Sequence, residues 1–312
     1  MVHGCGRPVT RWAFVGTVSV IGISFLLLHR EAATQATRPA VPIFEPDPLW
    51  SEALPNRWVT GQVGGLAVDS HDNVYVYQRG DPPIVVFDAS GAYLRSFGSG
   101  IIADAHGIFI TPDDRVLVAD RDAHQVLGFD INGSLELVMG ERHRPKLQAP
   151  FNHPADVATG PDGDIFVADG YGNSIVHRFT ANGRWLQSWG QPGCGHGAFT
   201  TPHAIRVHQE GRVLVADREN NRVQIFTPEG EYLAEWGDFY HPMDIYVDRQ
   251  GRTHVTDQIP RLSQVGVDGK LLGRCRPVLY AAHGIWGDSR GDLYLAEPAP
   301  MDRVTKLVRL PA

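Results

Sequence analysis

Through most of the chain, short runs of Val, Leu, Ile, Phe and Tyr alternate with polar residues and are punctuated by Asp, Gly, Asn and Pro. A period of two bounded by turn formers predicts β-strands joined by tight hairpins. The pattern also recurs as a whole. Six segments share one grammar: "GGLAVDSHDNVYVYQRG" from Gly64, "HGIFITPDDRVLVADRD" from His106, "ADVATGPDGDIFVADGYGN" from Ala155, "HAIRVHQEGRVLVADREN" from His203, "MDIYVDRQGRTHVTDQ" from Met243 and "HGIWGDSRGDLYLAEP" from His283. Each holds a strand, a turn and a second strand, and most continue into a third, as in "VQIFTPEG", and a fourth, as in "YLAEWGD". Four-stranded meanders repeating every roughly 40 residues stack radially as propeller blades. The expected fold is all-β, a six-bladed β-propeller over residues 55–312.

The last unit stops at "RVTKLVRL" without a fourth strand, so the ring must be closed from elsewhere. Residues 55–62, "PNRWVTGQ", resemble the missing strand and are expected to complete blade 6. Ahead of them, Pro-rich residues 37–54 read as an extended tether. Residues 1–36 differ in kind. Arg7 and Arg11 precede an uncharged apolar run from Trp12 to Leu28, which reads as an N-terminal apolar helix, either a signal peptide cleaved near Ala36 or a membrane anchor. Either role exports the propeller, as a secreted or periplasmic protein or one held at the membrane.

Composition adds one exclusion. A formal charge of −7 with no dense Lys/Arg block argues against a nucleic-acid surface and leaves small-molecule or peptide partners. Cysteines decide little: Cys5 lies ahead of the apolar run, and Cys194 and Cys275 read either as one disulfide or as two partly buried thiols.

Counting back 14 positions from the end of each second strand gives one equivalent position per blade, occupied by Gly64, His106, Ala155, His203, Met243 and His283. Histidine therefore falls on blades 2, 4 and 6. The innermost strand of a propeller blade faces the central channel, so imidazoles on alternate blades converge on the axis. Three such ligands with an open fourth position suit Zn²⁺, with other transition ions as alternatives. His153, His196, His208 and His241 lie outside this register and read as loop or hairpin residues. The position after each second strand should sit at one mouth of the channel, and it holds Arg79, Arg121 and Arg218, with Tyr171 one place further on in blade 3. Arg121, between Asp120 and Asp122, reads most simply as a surface ion pair.

These residues carry a resemblance. The run from "FNHPADV" through "IFVADGYGNSIVHRF" and "TPHAIRV" to "LVADRENNRVQIF" resembles NHL-repeat propellers, and most closely the peptidyl-α-hydroxyglycine α-amidating lyases, over essentially residues 55–310. The resemblance implies zinc ligation by His106, His203 and His283, a catalytic Tyr171, and Arg79 and Arg218 as the catalytic arginines. It implies cleavage of a carbinolamide to a peptide amide and glyoxylate, with Zn²⁺ acidifying the substrate hydroxyl, Tyr171 taking its proton, and arginine forks holding the carboxylate. A structural calcium is also implied, on the backbone carbonyls of Leu66 and Ile108 and an Asp following the third histidine. Here that residue is Gly284, so most of the charge needed for a hard cation is missing. Ala281 and Gly172 depart from the family's methionine and cysteine. No copper-binding hydroxylating module is evident in the sequence, so the hydroxylated substrate is expected from elsewhere.

Two other readings compete with a zinc lyase. One is a non-catalytic NHL propeller that binds a protein or glycan in the cell envelope. The other is a calcium-dependent lactonase-type propeller, for which Asp156 and Asp244 lie one position past the ligand register without a matching set of four.

Overall fold

The computed structural model describes residues 42–55, 58–278 and 280–311, and the apolar segment expected in residues 1–36 lies outside them. The described strands form six antiparallel sheets of four strands each. Their inner strands are Val63–Val68, Ala105–Ile110, Asp156–Thr159, Pro202–Val207, Pro242–Val247 and Gly284–Gly287. Among the described residues a single 3₁₀ turn spans Arg218–Asn220, and no helix is long and apolar enough to cross a membrane.

Burial follows from each sheet lying between two others. The second strands, such as Val74–Gln78, Val116–Asp120 and Leu293–Glu297, are buried at every position, which is why they read as near-continuous apolar runs. Outer strands such as Tyr232–Trp236 and Leu271–Cys275 are largely exposed. The core is correspondingly divided into clusters between neighbouring blades. One example packs Tyr75 and Tyr77 of blade 1 against Ile108, Val118 and Phe129 of blade 2.

The acid that ends most second strands clamps the chain as it enters the blade. Asp120 accepts from the backbone N–H of Ala103 and Asp104 at 2.9 Å each, and Asp217 accepts from Thr200 N–H at 2.8 Å. In blade 1 the side chain of Gln78 does this, accepting from Gly61 N–H at 2.6 Å. That bond corrects the expected closure. The described part of residues 55–62 contains no strand; it is the entry loop of blade 1, held as the other entry loops are.

The ring is closed instead by Phe44–Asp47, which pairs antiparallel with Arg303–Arg309 and completes blade 6. This strand lies inside the stretch expected to be a tether. Its signal was masked by prolines, but Pro46 sits on the outermost strand of its sheet, where a missing N–H breaks no ladder. Trp50 follows, buried to 7% exposure against Phe87 of blade 1 and Tyr294 of blade 6 at ring separations of 5.6 and 5.2 Å. Trp50→Ala should cost about 3–5 kcal/mol of folding stability by emptying this seam. Thermal unfolding of the variant should show Tm lowered by roughly 6 °C or more; a change within error would mean that the closure is held elsewhere.

Candidate active site

His106, His203 and His283 do meet on the channel axis. Their ring centroids lie 4.8 to 4.9 Å apart with interplanar angles of 72 to 73°, close to threefold symmetry. One ring nitrogen from each falls within 4.8 Å of the others. Each Nδ1 contacts a backbone carbonyl of the next blade: His106 reaches Ala155 O at 2.7 Å, His203 reaches Met243 O at 2.7 Å and His283 reaches Gly64 O at 2.6 Å. Ala155, Met243 and Gly64 are the three non-histidine residues of the same register. A carbonyl can only accept, so each Nδ1 carries the proton and each neutral ring turns the lone pair of Nε2 toward the axis.

Protonation is disfavoured throughout the cluster. Burial, and then the neighbouring imidazoles His283 and His203, hold His106 well below the usual histidine range. Burial and then His283 do the same for His203. For His283, burial leads again and brings its pKa to about 4. Three neutral imidazoles with one open side form a donor set that suits a tetrahedral zinc with a free position. These residues could hold such an ion.

Tyr171 covers the open side. Its hydroxyl lies 2.9 Å from His106 Nε2 and 3.0 Å from His203 Nε2, and Arg218 Nη1 donates to it at 3.1 Å. Since Tyr171 N–H is bonded to His153 O at 3.3 Å, the "DGYG" loop is held by the entry segment of its own blade. Arg79 donates from Nε to Ala105 O at 3.2 Å and from Nη1 to Gln62 Oε1 at 2.7 Å, and it pairs with Asp104 at 3.1 Å. Arg79, Tyr171, Arg218 and His283 line one cavity of about 180 Å³ above the histidines.

Three features were not anticipated. Arg121, read as a surface pair, also lines this cavity with its guanidinium 5.3 Å from the Tyr171 ring centre, although it does contact Asp122 at 3.0 Å. Arg206 lies beneath the histidines, 4% exposed, between Asp156 at 2.5 Å and Asp244 at 3.1 Å. The repeat itself held the signal: Arg206 stands three positions past His203, where blades 2, 5 and 6 carry Phe109, Tyr246 and Trp286. His241, set aside as a loop residue, contacts Glu219 at 3.0 Å, and Glu219 in turn pairs with Arg218. Cys194 and Cys275 are both free and exposed, so the reading as two unpaired thiols holds while the disulfide and the partial burial do not.

The calcium that the resemblance implies lacks its carboxylate ligand here. Leu66 and Ile108 line a small pocket beneath the histidines, but Gly284 offers it no carboxylate. A Cβ at Gly284 would already stand 3.2 Å from Gly65 Cα in blade 1 and from Ala296 Cβ. Of the two nearby carboxylates, Asp156 meets Arg206 and Ile205 N–H (3.0 Å) through Oδ2, and Asp244 meets Arg206 and the N–H groups of Ile245 and Ile285 at 2.7 and 2.9 Å.

Among known families, the NHL repeat matches residues 151–179 and 199–226. The chain is 34% identical over 211 residues to peptidyl-glycine alpha-amidating monooxygenase A of Xenopus laevis, covering 56% of this chain and 22% of that protein. It is 30% identical over 199 residues to a probable peptidyl-alpha-hydroxyglycine alpha-amidating lyase of Caenorhabditis elegans, covering 54% and 56% respectively. It is also 32% identical over 200 residues to NHL repeat-containing protein 3 of Homo sapiens, covering 59% and 57%. The chain thus spans about a fifth of the amphibian protein and little more than half of the other two. Solved structures share the fold at low identity: a gluconolactonase of Xanthomonas campestris has a TM-score of 0.65 at 14% identity over 88% of this chain and 99% of that one. A streptogramin B lyase has a TM-score of 0.63 at 14% identity, covering 86% and 98%.

The depressed histidine pKa values carry a sign. Folded values below the unfolded value of about 6.5 mean that the unfolded chain binds protons first as pH falls. The contribution of the neutral rings is then fully present above about pH 6.5 and is lost toward the folded values, about 4 for His283. In metal-free protein, Tm should decline as pH falls below about 6.5, and more steeply than in a His283→Gln variant. Equal slopes in the two melts would contradict the shift.

Proposed function

We propose that the protein is a zinc-dependent lyase of the NHL-repeat propeller type, cleaving a peptidyl-α-hydroxyglycine or a related carbinolamide to an amide and glyoxylate. The observation that carries this reading is the Tyr171 hydroxyl, which sits within hydrogen-bond reach of two Nε2 atoms that belong to a ready-made three-histidine donor set. Similarity to proteins named as amidating lyases supports it.

His106, His203 and His283 would hold the zinc through Nε2, and zinc bound there would lower the pKa of a substrate hydroxyl. The remaining work falls to the chain. Tyr171, starting as a phenolate that Arg218 stabilises, accepts the hydroxyl proton and becomes the neutral phenol. As the carbon–nitrogen bond breaks, the hydroxyl oxygen becomes the aldehyde of glyoxylate and the electron pair leaves on nitrogen. Tyr171 returns the proton to that nitrogen, so protons balance over the cycle. Arg79 and Arg218 present guanidinium forks to the substrate carboxylate from the cavity wall. Gly284 and the occupied Asp156 and Asp244 support a site that works without calcium.

Similarity to NHL repeat-containing protein 3, whose name states no activity, favours a second reading as a non-catalytic envelope propeller binding a protein or glycan. In either case the N-terminal apolar run is proposed to export the propeller or hold it at the membrane.

Purified protein should contain about one zinc per chain, and His203→Ala should lose it, as measured by elemental analysis. Zinc-loaded protein should release glyoxylate from α-hydroxyhippurate, and Tyr171→Phe should reduce kcat by roughly 100-fold or more while keeping the metal. A metal-free wild type would sink the zinc reading. Stoichiometric zinc with no glyoxylate would leave the donor set standing and remove the substrate.

A further inference from the structure

We propose that the site is built for a doubly anionic substrate, an N-acyl-α-hydroxyglycine whose acyl group ends in a second carboxylate, and that Arg121 reads this second charge. The inference rests on the proposed function for its first carboxylate and goes beyond it in naming the substrate class.

Charge around the cavity is segregated, with the cations on its wall and their acids behind it. Arg79, Arg121 and Arg218 all line it, while none of their acidic partners does. Three acids serve the three arginines, each standing outside the cavity. Asp104 is shared, at 3.1 Å from Arg79 and 3.0 Å from Arg121. Asp122 pairs with Arg121 from a side chain 53% exposed, where water screens it. Glu219 is divided between Arg218 and His241. The cavity wall therefore carries three guanidinium groups and no carboxylate, and a concave low-dielectric wall focuses that field on whatever enters.

A single carboxylate cannot use all of it. Arg218 is tied to the reacting end by its bond to the Tyr171 hydroxyl, and Arg79 leans on the entry to blade 2 through Ala105 O. Arg121 makes neither contact. It lies on the Tyr171 ring at 5.3 Å, as Arg218 does, so the phenol is flanked by two cations. Placed this way, Arg121 can form a fork with an anion that is not the one beside the reacting carbon. The cavity of about 180 Å³ has room for the hydroxyglycine end and a short acyl group.

The test uses a matched pair that lacks the reacting hydroxyl and so is not turned over: N-succinylglycine, a dianion, and N-butyrylglycine, a monoanion of similar size. Calorimetry on zinc-loaded wild type at low ionic strength should give binding about tenfold or more tighter for the succinyl compound, a fold-change typical of one charge-assisted contact. Arg121→Gln should erase that ratio while leaving N-butyrylglycine affinity within about twofold, and Arg121→Lys should restore part of it. A merely structural role for Arg121, through its packing on Tyr171, would weaken both compounds alike, and that result overturns the proposal. Equal binding of the two compounds by wild type also overturns it. Should wild type bind only N-butyrylglycine and release glyoxylate from α-hydroxyhippurate, this inference fails while the lyase reading survives. Binding of neither compound overturns this inference, and glyoxylate release from α-hydroxyhippurate then decides separately whether the lyase reading falls too.

Discussion

The site depends on one repeated contact, the Nδ1–H of a histidine on an even blade donating to the backbone carbonyl at the equivalent position of the next blade. This bond fixes the tautomer, aims Nε2 and ties neighbouring blades together in a single act. It also links the donor set to ring closure. His283 bonds to Gly64 across 219 residues of sequence, so the third imidazole is oriented only when blade 6 lies against blade 1. The strand Phe44–Asp47, at the outer edge of blade 6, and the wedge of Trp50 hold that junction.

Along the axis the channel is layered by register. Tyr171 and the arginines form the mouth, the histidines the next layer, Asp156 and Asp244 the one after, and Phe109, Tyr246 and Trp286 with Arg206 the floor. The floor is closed by charge as well as by rings: the Arg206 guanidinium stands 5.2 Å from the centre of Trp286 and 5.9 Å from that of Phe109 while bridging the two carboxylates. A buried ion triad is weak evidence of net stability, because desolvation offsets much of the attraction. Burial does push both carboxyls up, against Arg206. What the triad does specify is register, since it ties inner strands of blades 3, 4 and 5 and passes through Asp244 to Ile285 of blade 6.

Much of this was legible in the repeats. Strands, turns and blade number follow from alternation and period, and the three histidines follow from aligning the second strands. The misses have physical causes. Phe44–Asp47 was hidden because an outermost strand tolerates the prolines that elsewhere signal an irregular tether. Residues 55–62 resembled a strand because an extended entry loop and an edge strand share composition, and only the bond from Gly61 to Gln78 separates them. Arg121 was discounted because adjacent acids offered it a local partner, and one-dimensional proximity says nothing about which face of a loop a long side chain takes.

The alternation of histidine with Gly64, Ala155 and Met243 has a steric as well as a chemical origin. Rings from three blades already lie within 4.9 Å of one another, and six could not occupy the same layer. At Gly64 the squeeze is explicit: a Cβ there would meet the Ala105 carbonyl oxygen at 2.5 Å and His106 Cα at 3.2 Å. At all three odd-blade positions the backbone carbonyl, of Gly64, Ala155 or Met243, meets the histidine of the preceding blade. A sixfold scaffold is thereby reduced to a threefold site, with the histidines and the carbonyls that orient them drawn from one position of one repeat.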